Sequence, residues 1–108
     1  MIKIAIIEDE PMIMRNLAVF IERLDPDFSD INCFSQGKDF LAFLEHNSPD
    51  IVISDIRLSD TLGTELLKQC KKTNPHIRFV IISAYKNFEY AKTAIEYKAD
   101  AYLTKPID

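Results

Sequence analysis

Ile51-Val52-Ile53-Ser54-Asp55 is the stretch on which the fold turns: an apolar strand runs straight into a carboxylate at the mouth of a polar loop. Nothing in it alternates between apolar and polar, which suits a strand covered on both faces in a parallel sheet. Ile2 to Ile7, Phe79 to Ser83 and Ala101 to Leu103 share that character. A fifth segment, Ile31 to Phe34, mixes polar and apolar residues and reads as an edge strand.

Helical periodicity fills the intervals. Pro11 suits the first turn of a helix whose apolar stripe is Ile13, Leu17, Phe20, Ile21 and Leu24. Ser35 is placed to cap a second helix that buries Phe40, Leu41 and Leu44. A third carries Leu62, Leu66, Leu67 and Cys70 and ends before Asn74-Pro75. The fourth, capped by Asn87, presents Phe88, Ala91 and Ile95. Strands alternating with helices predict an open, doubly wound α/β sheet with helices on both faces. Ligands of such sheets bind beyond the carboxyl ends of the strands. Glu8-Asp9, Asp55, Ser83 and Lys105 all fall at such ends.

The 108 residues are expected to form one domain, 1-108, large enough for its own core. A formal net charge of -4 argues against direct nucleic-acid binding. No apolar run approaches the roughly 20 residues that span a bilayer, and Met1 leads into a strand without a signal-peptide pattern. Cys33 and Cys70 lack metal-ligand spacing and read as reduced core residues, so a cytoplasmic location is expected. Two glycines are too few for a Gly-rich phosphate loop.

Three carboxylates, a hydroxyl and an ammonium at one sheet edge could bind a divalent cation and hold a phosphoryl group. Taken singly, each has an ordinary reading. Asp55 suits a turn, and Glu8-Asp9 before Pro11 suits the positive end of a helix. Lys105 suits a solvated surface, Ser83 a backbone-satisfied hydroxyl, and Tyr102 a half-buried strand position. The joint pattern carries the functional reading.

At these residues the chain resembles the receiver domain of bacterial two-component response regulators, a CheY-like, flavodoxin-like fold with strand order 2-1-3-4-5. The resemblance rests on Ile-Ile-Glu8-Asp9-Glu-Pro, Ile-Ser-Asp55-Ile-Arg57-Leu, Ile-Ile-Ser83-Ala-Tyr85 and Tyr102-Leu-Thr-Lys105-Pro. The Asn87-Phe88-Glu89-Tyr90-Ala91 stretch is similar to receivers that precede AraC-type DNA-binding domains. Three departures stand out. Glu8 occupies a position where Asp is commoner, Ser59 replaces a usual proline, and the family's last helix is absent from the chain, which is expected to leave apolar surface near Ala101 and Leu103 uncovered.

The resemblance implies that Asp55 accepts a phosphoryl group from a sensor histidine kinase in a Mg²⁺-dependent reaction. Asp9, Asp55 and the backbone carbonyl of Arg57 would hold the metal, with Glu8 acting through a water. Lys105 would pair with Asp55 and later with the phosphoryl oxygens. Ser83 and Tyr102 would switch a partner or homodimer surface on the fourth helix and fifth strand, and an output domain would control transcription. Tyr85 would slow hydrolysis by restricting water. The expected protein is a signalling domain, not an enzyme acting on an external substrate. A haloacid-dehalogenase-type phosphohydrolase would want a second Asp where Arg57 stands. A phosphorylation-free interaction module would not need Lys105 and the acidic pair together.

Overall fold

The computed structural model describes residues 2–84 and 88–105. Strand and helix alternate along the chain: β1 (Lys3–Ile7), α1 (Pro11–Leu24), a 3-10 turn (Pro26–Ser29), β2 (Asp30–Phe34), α2 (Gly37–Leu44), β3 (Ile51–Asp55), α3 (Gly63–Thr73), β4 (Arg78–Ser83), α4 (Phe88–Glu96) and β5 (Ala101–Thr104). The five strands form one parallel sheet in the order β2-β1-β3-β4-β5. This is the doubly wound arrangement and strand order expected above.

Successive strand residues point to opposite faces, which divides the apolar side chains into two cores. Ala5, Ile7, Val52, Phe79 and Ile81 meet Phe40 and Leu44 of α2, Leu66, Leu67 and Cys70 of α3, and Ala94 of α4. On the other face Ile4, Ile6 and Ile21 pack with Met14, Leu17 and Ala18 of α1 and with Ile51 and Ile53. Burying a side chain of this size stabilises by roughly 1.5–3 kcal/mol, so the larger core dominates the fold. Phe34 extends it, meeting Phe40 edge-on at 5.8 Å between ring centroids.

Two aspartates tie the strand starts together, far from the acidic edge. Asp50 accepts the Lys3 N–H at 2.8 Å and returns its own N–H to the Lys3 carbonyl. Asp100 accepts the Phe79 N–H at 2.7 Å, donates its N–H to the Phe79 carbonyl, and takes Lys71 and Arg78 as charged partners. Those donors hold its carboxyl below the usual aspartate range against the opposing effect of desolvation.

Four expectations need correction. Ser35 does not cap α2. The cap position is Gln36, without a side-chain bond, and Asp60 supplies the oxygens instead. The α4 stripe is turned: Ile95 is 79% exposed, while Ala94 is buried and Tyr90 packs on the core. The small Ala94 lets α4 approach closely, and Tyr90 lies one helical turn before it on the same side. Phe20 and Leu24 of the α1 stripe stay exposed, because α1 covers the β1–β3 side of its face. Cys33 lies exposed on edge strand β2, and only Cys70 is a core residue. The expected cap Asn87 and the residue Tyr85 lie outside the described residues.

The α1 face carries a groove of roughly 480 Å³ lined by Ile13, Leu17, Phe20 and Ile82, with Glu8 and Lys105 at one end. Beside it Leu103 is 43% exposed, as expected for this strand. Among the described residues no helix is long and apolar enough to cross a membrane.

Candidate functional site

Three parallel strands bring their carboxyl ends to one place, and each side chain there is fixed by local backbone. Beyond β1, the Glu8 N–H donates to the Phe34 carbonyl of the neighbouring strand at 3.0 Å. The Glu8 carboxylate turns back and accepts the Glu10 N–H at 3.2 Å, at the entry to α1. An anion is favoured there by the unpaired amides of a helix start. At the end of β3, the Asp55 carbonyl accepts the Ser54 hydroxyl at 2.9 Å. Gly63 begins α3 directly against that carbonyl, where any Cβ would collide with it. Lys105 follows β5 and donates its N–H to the Ser83 carbonyl at 2.8 Å.

The result is a compact charged cluster. Oxygens of Glu8, Asp9 and Asp55 lie within 4.8 Å of one another. Lys105 Nζ reaches Glu8 Oε1 at 2.7 Å and Asp55 Oδ2 at 3.3 Å. The Glu8 side chain is only 3% exposed, Asp55 11% and Lys105 17%. Burial raises the Glu8 carboxyl above its ordinary value, and the negative charge of Asp55 adds to this, although Lys105 and the Glu10 amide oppose it. Burial alone would lower Lys105, but the bond to Glu8 and the charges of both carboxylates outweigh it and leave the ammonium more basic than usual. The two upward shifts differ in cause: burial leads at Glu8, and the neighbouring carboxylates outweigh burial at Lys105. Lys105 stays protonated, and Glu8 remains under-compensated.

Hard carboxylate oxygens this close together are the donor set that a divalent cation such as Mg²⁺ takes. The cluster could therefore hold a metal ion. It also sets a carboxylate, Asp55, beside a fixed cation. That combination can receive an anionic electrophile, because charge on the incoming oxygens meets positive charge already in position.

Of the residues singled out from sequence, Glu8, Asp9, Asp55 and Lys105 converge. Ser83 is fully buried at the end of β4, one position beyond Ile82, the partner of Asp55 in the sheet. Tyr102 pairs in register with Ile81, is half-buried, and packs on the α2–α4 core. Arg57 is exposed, and its backbone pairs with Leu62 across the loop after β3. Sequence reasoning paired Lys105 with Asp55 and missed the shorter contact to Glu8. The two residues are 97 positions apart, and no local pattern links them. It also missed Asp60, whose carboxylate binds α2 across 22 and 23 residues of chain.

Comparison with known proteins returns one family. The response regulator receiver domain profile matches residues 4–108. The transcriptional regulatory protein YesN of Bacillus subtilis is 34% identical over 106 residues, covering 98% of this chain and 29% of YesN. The transcriptional regulatory protein HptR of Staphylococcus aureus is 32% identical over the whole chain, which spans 42% of HptR. Among solved structures, a CheY-like receiver domain protein from Methanospirillum hungatei superposes with a TM-score of 0.92 at 25% identity, covering all of this chain and 84% of that one. A receiver domain protein from Clostridium thermocellum gives 0.88 at 28% identity, covering all of this chain and 85% of that one.

Proposed function

The chain belongs to the response regulator receiver domain family, a family of signalling domains, and on that premise we propose that Asp55 is its phospho-acceptor. The observation that carries the reading is the contact of one ammonium, Lys105 Nζ, with both Asp55 and the buried Glu8, beside Asp9. An oxygen of the Asp55 carboxylate attacks the phosphorus of a phosphohistidine on a sensor kinase. The new O–P bond forms as the N–P bond breaks, and the imidazole leaves with its electron pair. Phosphoryl transfer of this kind depends on positioning and on cationic stabilisation of the equatorial oxygens.

Asp9, Asp55 and the Arg57 carbonyl are the proposed Mg²⁺ ligands, with Glu8 holding a water of the metal's shell. When bound, Mg²⁺ neutralises charge on the phosphoryl oxygens and brings donor and acceptor together. Lys105 is the second cation: it orients Asp55 beforehand and accompanies the phosphoryl group afterwards. Ser83, buried next to that position, donates its hydroxyl to a phosphoryl oxygen and so distinguishes the modified state. Tyr102 follows on the neighbouring strand. The Asp55 carboxylate, with its single negative charge, gives way to a phosphoryl group of about -1.5 to -2 charge with three acceptor oxygens, and that change is transmitted to the α4–β5 face.

On α4 Ile95 is 79% exposed beside the edge strand β5, which supports a homodimer or partner contact there. The relatives named as transcriptional regulatory proteins support a DNA-binding output domain, of AraC type by the sequence resemblance, in a cytoplasmic regulator. The test is intact mass before and after acetyl phosphate with Mg²⁺. The chain is expected to gain one phosphoryl group, and Asp55→Asn none. An unchanged mass for the native chain overturns the reading.

A further inference from the structure

The chain's two glycines serve a single joint. Gly63 lies against the carbonyl of Asp55, and Gly37 lies against Thr61 and Asp60, with no room for a Cβ at either. Between these points runs the loop from Ile56 to Leu62. Its own backbone closes it into a hairpin: Gly63 N–H to the Ile56 carbonyl at 2.7 Å, Leu58 N–H to the Thr61 carbonyl at 2.9 Å, and the Arg57–Leu62 bridge. At the tip, the two carboxylate oxygens of Asp60 each take one amide at the start of α2, Gly37 N–H and Lys38 N–H, both at 2.9 Å.

We propose that Asp60 is a positioning residue: its double bond to α2 fixes the β3–α3 loop, and with it the Arg57 carbonyl and the Asp55 carboxylate, in the geometry that receives the metal. The inference rests on the reading of Asp55 and Arg57 given above. Its physical basis is leverage. The hairpin is tied at its base by Gly63 and at its tip by Asp60, so its stem, where Arg57 lies, has no independent freedom. Each oxygen of Asp60 satisfies an amide that the helix itself leaves unpaired. The pair of bonds therefore caps α2 and anchors the loop together, and cutting it releases both. Outer residues that orient ligands in this way typically contribute about 10–100-fold to metal affinity.

The experiment compares the native chain with Asp60→Ala, Asp60→Asn, Gly37→Ala and, as a control, Asp100→Asn, which loosens the opposite end of the sheet. Mg²⁺ affinity is read from the NMR shift of the Ile56 amide, labelling rate from acetyl phosphate, and fold from circular dichroism at the same temperature. Asp60→Ala is expected to weaken Mg²⁺ binding about tenfold, and Asp60→Asn, which keeps one acceptor oxygen, by less. Gly37→Ala, which presses on Thr61 from the helix side, should shift affinity in the same direction. Asp100→Asn should lower stability and leave the Mg²⁺ titration unchanged. A folded Asp60→Ala with native affinity and labelling rate overturns the inference, as does an equal loss in Asp100→Asn. A native chain that takes no phosphoryl group sinks the reading of Asp55 and this inference with it.

Discussion

Replacing Lys105 with methionine keeps most of the apolar stem and removes the one ammonium within reach of Glu8 and Asp55 among the described residues. At a separation near 3 Å and an effective dielectric near 20, each contact is worth about 5 kcal/mol of attraction before desolvation. Most of that is offset, because three charged groups leave water to make it. Breaking a buried pair from one side costs roughly 3–5 kcal/mol. Here Lys105 is 17% exposed and Glu8 keeps the Glu10 amide, so the expected loss at pH 7 without metal is about 2 kcal/mol. For a domain of this size that lowers the melting temperature by about 10 °C. Mg²⁺ should then stabilise Lys105→Met more than the native chain, because the metal meets carboxylates with no competing cation. At a hundredfold excess over its dissociation constant a bound ion contributes about 2.7 kcal/mol. The assay is thermal unfolding followed by circular dichroism, in EDTA and in saturating Mg²⁺. An unchanged melting temperature in EDTA, or equal Mg²⁺ increments for both proteins, refutes the claim that Lys105 is the cation balancing this cluster.

Asp100, whose folded-state pKa is depressed, supplies stability that is present above its unfolded value of 3.8 and is lost as pH falls through the lower folded value. Asp100→Asn should therefore unfold more easily at neutral pH and lose less on acidification; an acid limb identical to the native one, in urea melts from pH 7 to 2, contradicts this. Lys98 holds a left-handed backbone at φ 63°, just beyond α4, where the Ala99 N–H closes onto the Ala94 carbonyl. Lys98→Gly should raise stability by about 0.5–1 kcal/mol, and denaturant midpoints that fall instead would show the side chain matters more than the strain. Cys33, exposed at the edge, should react with a thiol reagent in the native state. Cys70, buried and pushed up to about 12, should react only on unfolding. Two rapidly reacting thiols in native protein would contradict the burial of α3.

The segments of this fold were legible because their signals are local. An unbroken apolar run such as Ile51 to Ser54 implies burial on both faces, and a 3.6-residue stripe such as Leu62, Leu66 and Cys70 implies a helix, whatever surrounds them. Parallel direction then follows from alternation, the strand order from the resemblance to receiver domains, and parallel strands bring Glu8, Asp9, Asp55 and Lys105 to one edge. The errors arose where local signals competed or fell silent. Ser35 looked like a cap, yet Asp60, reaching from another loop, offered two oxygens where Ser35 could offer one. Ile95 continued the apolar spacing of α4, but tight approach selected Ala94 as the contact and turned Ile95 to solvent.

The amino-acid order by itself determined which residues lie in strands, which in helices, and which chemical groups end the strands. Those choices depend on backbone propensity and the alternation of side chains within a few residues. Only the tertiary structure decided that Lys105 bonds Glu8 more closely than Asp55, that α1 leaves Phe20 outside, and that Asp60 joins the loop to α2. Such contacts depend on the sliding and rotation of whole elements against one another. Packing settles these by tenths of an ångström, and the charges and amides within reach then take the partners that packing leaves them.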